Sequence, residues 1–194
     1  MDKLSRNSNE VAKGSIYDIA SSKGLKTEEV LAEADVIVIL DVSSSMMDRN
    51  RAGLTRYERA KESLGEIQRA FPGRVAVISF SDKAQIELTG LPPMHGGCTN
   101  MAKALNLAKD FDGLDTKFYF ISDGSPTDSE SIIISIADSF TDPISTIFIG
   151  SDTDTTAIAF MKKLAEVTGG TNSGKVDPAM LGNTILQLVA NNGN

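Results

Sequence analysis

Five consecutive apolar residues, Val36-Ile37-Val38-Ile39-Leu40, run without a polar break and end in Asp41. A β-branched run of this kind suits a strand buried on both faces, as in a parallel sheet covered by helices. Val75–Phe80, Phe118–Ile121 and Ile144–Ile149 read as further strands, largely apolar but with Ser79 in the first and Ser145-Thr146 in the last. Between these runs the period changes. Leu54, Tyr57, Ala60, Leu64, Ile67 and Phe71 recur every three or four residues, the signature of an amphipathic helix, and Pro72-Gly73 stops it. Ala102, Leu105 and Ala108 mark a second helix. Ile158, Met161, Leu164 and Ala165 mark another, ended by Gly169-Gly170. Leu181, Ile185, Leu188 and Val189 form a last stripe, with Pro178 at its start.

Two places depart from simple alternation. Four turn-like residues, Ser81–Ala84, lead from Val75–Phe80 to Gln85–Leu88. A parallel crossover needs about a dozen residues or more, so this pair is antiparallel and lies at an edge of the sheet. Thr127-Asp128-Ser129-Glu130 reads as a capping box opening a helix to about Ser139, although Ile132-Ile133-Ile134 would equally suit a strand. With a short strand at Thr171–Val176, the pattern is α/β: a mostly parallel sheet with one antiparallel edge strand and helices on both faces.

The chain of 194 residues is long enough for one domain with a real core. Residues 1–32 read as an N-terminal arm and short helices, 33–191 as the α/β domain and 192–194 as a frayed tail. No apolar run approaches the ~20 residues of a membrane span. The first residues, Met1–Asn7, carry no apolar core or cleavage site, so a cytoplasmic location is expected. A single cysteine, Cys98, excludes an internal disulfide, and with His95 as the single histidine the zinc-finger spacings are excluded too. The net charge of −7 argues against nucleic acid as a partner. Charge is uneven: residues 46–74 hold seven Arg/Lys against four Asp/Glu, and residues 110–160 hold ten Asp/Glu against one Lys. That asymmetry fits two solvated faces of opposite sign, or a field that steers a partner.

In open α/β sheets, ligands sit outside the carboxyl ends of the strands. Two apolar runs end there in aspartate: Leu40-Asp41 and Ile121-Ser122-Asp123. Beyond Asp41 comes Val42-Ser43-Ser44-Ser45, and in an extended loop Asp41, Ser43 and Ser45 would project to one side while Ser44 points elsewhere. Gly96-Gly97-Cys98-Thr99 lies between the two aspartate strands, and its glycines would let the backbone approach the same rim. Two carboxylates and three hydroxyls are hard oxygen donors, suited to a small divalent cation such as Mg²⁺. Neutral hydroxyls leave the cation strongly Lewis acidic, so an open position would favour a carboxylate brought by another protein.

Asp41-Val42-Ser43-Ser44-Ser45-Met46, followed by Thr99 in a Gly-rich loop and by Asp123-Gly124, resembles the von Willebrand factor A domain and its metal-ion-dependent adhesion site, particularly in bacterial intracellular members. The resemblance spans about Glu33 to Asn191. It implies a doubly wound, Rossmann-like sheet of six strands and a bound Mg²⁺, sometimes Mn²⁺ or Ca²⁺. It also implies Ser43, Ser45 and Thr99 as direct ligands, with Asp41 and Asp123 acting mainly through waters. The function it implies is binding a partner protein through an Asp or Glu of that partner, without catalysis.

Other readings stay open on the residues alone. Asp41 could be the nucleophile of a haloacid-dehalogenase-like phosphotransfer enzyme, but such enzymes place a second carboxylate where Ser43 stands. A structural, self-assembling subunit with a non-essential metal site is a third reading. Asp82 reads as a hairpin-turn residue that could also support the site, and Asp128 as serving a helix N-terminus. His95 reads as a surface loop residue and Cys98 as a small buried thiol. Met46 and Met47 read as packing or rim contacts. Arg49, Arg51 and Arg56 read as a solvated loop that could flank an incoming carboxylate.

Overall fold

The computed structural model describes residues 10–49, 53–176 and 180–191. Arg51, Pro178 and the tail 192–194 lie outside the described residues, as do the first nine residues of the arm. The elements in chain order are α1 (Ile16–Lys23), α2 (Thr27–Leu31), β1 (Val36–Asp41), α3 (Arg56–Ala70), β2 (Val75–Phe80), β3 (Ala84–Ile86), α4 (Met101–Ala108), β4 (Lys117–Ser122), α5 (Glu130–Asp138), β5 (Ile144–Phe148), α6 (Thr155–Val167), β6 (Asn172–Lys175) and α7 (Leu181–Asn191). The six strands form one sheet in the order β3-β2-β1-β4-β5-β6. Every pairing is parallel except β2 with β3, which is antiparallel at the edge.

Side-chain alternation divides the core. Ile37 and Ile39 of β1 face one way with Ile78, Phe118 and Phe120, against α1, α2 and α4 to α6. Val36, Val38 and Leu40 face the other way with Val77 and Ile121, against α3 and α7. All six residues of β1 are buried, which is why the run carries no polar alternation. Burial of such side chains stabilises by about 1.5–3 kcal/mol each before chain entropy is counted.

The segment before β1 is part of this packing. Ala12, Ile16, Ala20 and Val30 are buried, and the Tyr17 N–H donates to the Leu88 carbonyl. Gly14 takes a φ of +85°, and a Cβ there would lie 2.2 Å from the Gln68 carbonyl oxygen. Among the described residues, no helix is long and apolar enough to cross a membrane.

The chain runs outward from β1 to β2 and β3, then returns to β4 on the other side of β1. The reversal opens a crevice between the carboxyl ends of β1 and β4, where open α/β sheets place ligands. Asp41 and Asp123 stand on its two sides.

Candidate functional site at the carboxyl end of the sheet

Asp41 is the last residue of β1 and is fully buried. Its Oδ1 accepts a 2.8 Å hydrogen bond from the Ser43 N–H, so the side chain turns its own backbone. The chain then enters a short 3₁₀ turn, Ser44–Met47, rather than the extended loop expected from the two-residue spacing. Ser43 and Ser45 still come together, with their hydroxyl oxygens 3.2 Å apart. Ser44 points away, as the spacing implied: its Oγ accepts from the Gly97 N–H at 2.9 Å, and its own N–H donates to the Gly97 carbonyl. Met46 is buried within the turn, whereas Met47 is 48% exposed beside it.

Those two bonds fasten the Gly-rich loop to the serine turn, and a third runs from the Gly96 N–H to the Val42 carbonyl. Gly96 and Gly97 both take positive φ, at 68° and 82°. From the other side, Asp82 in the β2–β3 turn accepts from the Cys98 N–H at 3.0 Å. Asp82 is thus both a turn residue and a support of the loop. The loop delivers Thr99 to a buried position, and its carbonyl accepts from the Thr127 N–H. Asn100, not Thr99, caps α4.

Asp123 follows β4 directly and is 7% exposed. Its Oδ2 accepts from Arg56 Nη1 at 3.1 Å, while its Oδ1 is buried without a hydrogen-bond partner. The same guanidinium nitrogen donates to the Ser45 carbonyl at 3.1 Å. A chain of contacts therefore joins Asp41, Ser43, Ser45 and Asp123, and the loop carrying Thr99 is bonded to the same turn. Arg56 is a site residue rather than solvated loop. Among the described residues, Arg49 bonds the Gly53 carbonyl.

Ser122, between the β4 run and Asp123, was not anticipated as a site residue. Its hydroxyl donates to Asp41 Oδ2 at 2.7 Å and accepts from the Gly124 N–H at 3.0 Å. Alternation along β4 carries the signal, since Ser122 and Asp123 must point to different sides of the strand. Burial pushes the Asp41 carboxyl up to about 6; hydrogen bonds from Ser43 and Ser122 offset part of that rise.

Three neighbouring residues depart from their expected settings. Cys98 is exposed, not buried, and follows two positive-φ glycines. Asp128 serves a helix N-terminus, but that of α4: its Oδ2 accepts from the Ala102 N–H at 3.0 Å. Helix α5 accordingly starts at Glu130 with Ser129 as cap, and the expected capping box at Thr127 does not form. His95 is an exposed loop residue, 3.2 Å from the Gln85 side-chain amide.

Among the described residues, no three Asp, Glu, His or Cys side chains are grouped as a metal cluster. A cation at this rim would need the hydroxyls of Ser43, Ser45 and Thr99 as well as the two carboxylates.

No protein-family model matches the chain, and no curated protein matches it by sequence. Solved structures do. An aerotolerance-related membrane protein from Bacteroides fragilis, solved with multiple mutations to serine, is 18% identical with a TM-score of 0.60, covering 81% of this chain and 99% of its own. Proximal thread matrix protein 1 from the mussel byssus is 19% identical with a TM-score of 0.58, over 81% of this chain and 47% of its own. The manganese-loaded TRAP protein of Plasmodium vivax is 15% identical with a TM-score of 0.50, over 81% of this chain and 72% of its own. At such identities the likeness speaks for architecture alone, and that architecture is the α/β, Rossmann-like fold of the von Willebrand factor A type.

Proposed function

We propose that this chain is a metal-dependent protein-binding module. Asp41, Ser43, Ser45, Thr99 and Asp123 hold a divalent cation, Mg²⁺ or Mn²⁺, and a partner protein completes the shell with an Asp or Glu. The observation that carries the reading is Asp123 Oδ1. It is a carboxylate oxygen buried without a hydrogen-bond partner, at the rim that also holds the Ser43–Ser45 hydroxyl pair. Buried polar atoms are seldom left unmatched, and an ion or a water at this position would supply the missing partner. The donor set is all oxygen, which suits a hard dication. When bound, the cation supplies a Lewis-acidic position for an anionic oxygen. The manganese-loaded structural neighbour supports a divalent metal on this fold.

The chain's own residues prepare that position. Asp41 orients the serine turn through the Ser43 N–H, Asp82 and Ser44 brace the loop that carries Thr99, and Arg56 holds Asp123. We read the arrangement as one for binding rather than phosphotransfer. Both Asp41 oxygens are engaged, by the Ser43 N–H and the Ser122 hydroxyl, and the carboxylate is fully buried, so it is poorly placed to attack a phosphorus atom.

Calorimetric titration with Mg²⁺ and Mn²⁺ tests the metal, using wild type, Asp41→Ala and Thr99→Ala. Pulldown in Mg²⁺ against EDTA tests the partner. Binding that is lost in both variants, with the domain still folded, supports the reading. Unchanged metal and partner binding in both variants overturns it.

A further inference from the structure

We infer that Arg56 is an internal counter-cation of this site, one that holds Asp123 before a metal arrives and then competes with the metal for it. The inference rests on the metal-site reading above. Arg56 Nη1 touches three oxygens: Asp123 Oδ2 at 3.1 Å, the Ser45 carbonyl at 3.1 Å and Asp48 Oδ2 at 3.2 Å. Two of them belong to residues of the candidate ligand set. The third, Asp48, is 68% exposed, so solvent screens it and the buried Asp123 governs the pairing.

Local helix physics does not account for an arginine here. Arg56 is the first residue of α3, where the helix dipole disfavours a cation. The cap is already satisfied without it: the Thr55 hydroxyl accepts from the Glu58 N–H at 3.0 Å, and the Glu58 carboxylate accepts from the Thr55 N–H at 2.7 Å. What the arginine accomplishes lies across the crevice. It neutralises one oxygen of a buried carboxylate and leaves the other, Oδ1, without a partner. A permanent positive charge beside the ligand set weakens the hold on a dication. The affinity is thereby lower than the same oxygen set would have without the arginine.

A simple strut between α3 and β4 would use the same contacts, and the two roles separate in one experiment. Thermal unfolding is followed in EDTA and in excess Mn²⁺ for wild type, Arg56→Gln and Arg56→Lys, with calorimetric Mn²⁺ affinity alongside. Arg56→Gln keeps a donor but removes the charge. Its melting temperature in EDTA should fall by about 5 °C, since a buried carboxylate loses its ion pair. Its Mn²⁺-induced rise should exceed that of wild type, with roughly tenfold tighter binding, because a like charge has left the neighbourhood of the metal. Arg56→Lys restores the charge and should return Mn²⁺ affinity to within about threefold of wild type. If Arg56→Gln binds Mn²⁺ no more tightly than wild type while wild type does bind, the arginine is a strut and the inference fails alone. If wild type binds no Mn²⁺, the metal-site reading fails and takes this inference with it.

Discussion

The Ser122 hydroxyl donates a 2.7 Å hydrogen bond to Asp41 Oδ2 across the parallel pair β4 and β1. Both residues are fully buried, and the bond closes the crevice floor where the strand order reverses. Ser122→Ala removes the donor from a buried carboxylate and leaves the Gly124 N–H without its acceptor. A hydrogen bond to a charged group contributes about 1.5–3 kcal/mol, so the urea midpoint should fall accordingly. Metal affinity should fall as well, because Asp41 loses one of the bonds that orient it. A midpoint equal to wild type would show that the bond is not contributing.

Burial raises the Asp41 carboxyl from 3.8 to about 6, which sets a pH dependence with a definite sign. Between about pH 4 and 6 the folded chain binds more protons than the unfolded chain, so stability falls as pH rises through that window. The contribution is complete below about pH 4 and lost above about 6, on the order of 3 kcal/mol in all. Asp41→Asn removes the charge while keeping the size. In EDTA at neutral pH it should be more stable than wild type, with the gap closing toward pH 4. A gap that is constant with pH would exclude Asp41 as the source. Metal binding should run the other way for wild type, weakening as pH drops below about 6, because the cation needs the ionised carboxylate.

Gly97→Ala should uncouple the Thr99 loop from the rim. Gly97 has a φ of +82°, and a Cβ there would stand 2.2 Å from Asp82 Oδ2, the carboxylate that braces Cys98. Strain of about 1–3 kcal/mol adds to that collision. Gly24→Ala is the control: it has a φ of +65° but no heavy atom within 4 Å of the added Cβ. Gly97→Ala should lose metal affinity while Gly24→Ala keeps it, even where both melt below wild type. Equal metal affinity in the two variants would separate the loop from the site.

How much of this was readable beforehand differs by residue. The run Val36–Leu40 announced a strand buried on both faces, because nothing polar interrupts it and both core clusters draw on it. The antiparallel edge followed from chain length alone, since the turn between β2 and β3 is too short to cross over. The Arg56–Asp123 pair was not readable, because it joins residues 67 apart that meet only when α3 packs over β1. The box at Thr127 misled for a related reason. The Thr127 N–H and the Asp128 carboxylate are taken by Thr99 and Ala102, so tertiary bonds displaced a local cap. The segment before β1 read only as an arm with short helices, yet Ile16 and Ala20 are buried in the core cluster, a packing that a single sequence does not reveal.

Thr99 allows the hydroxyl to be tested apart from the fold. The bond that anchors Thr99 is donated by the Thr127 N–H to its main-chain carbonyl, so it survives any side-chain exchange. Thr99→Val keeps the shape of a side chain that is only 6% exposed and removes the oxygen alone. Thr99→Ser keeps the oxygen and removes a methyl group, at a cost of about 1 kcal/mol. If the hydroxyl is a ligand, Thr99→Ser binds Mg²⁺ nearly as wild type does despite its lower melting temperature. Thr99→Val should lose binding by tenfold or more, the order expected for one charge-assisted oxygen contact, while melting near wild type. Stability and metal affinity thus change in opposite order across the two variants. A purely structural role for Thr99 would make them change together, and calorimetric titration beside thermal unfolding distinguishes the two.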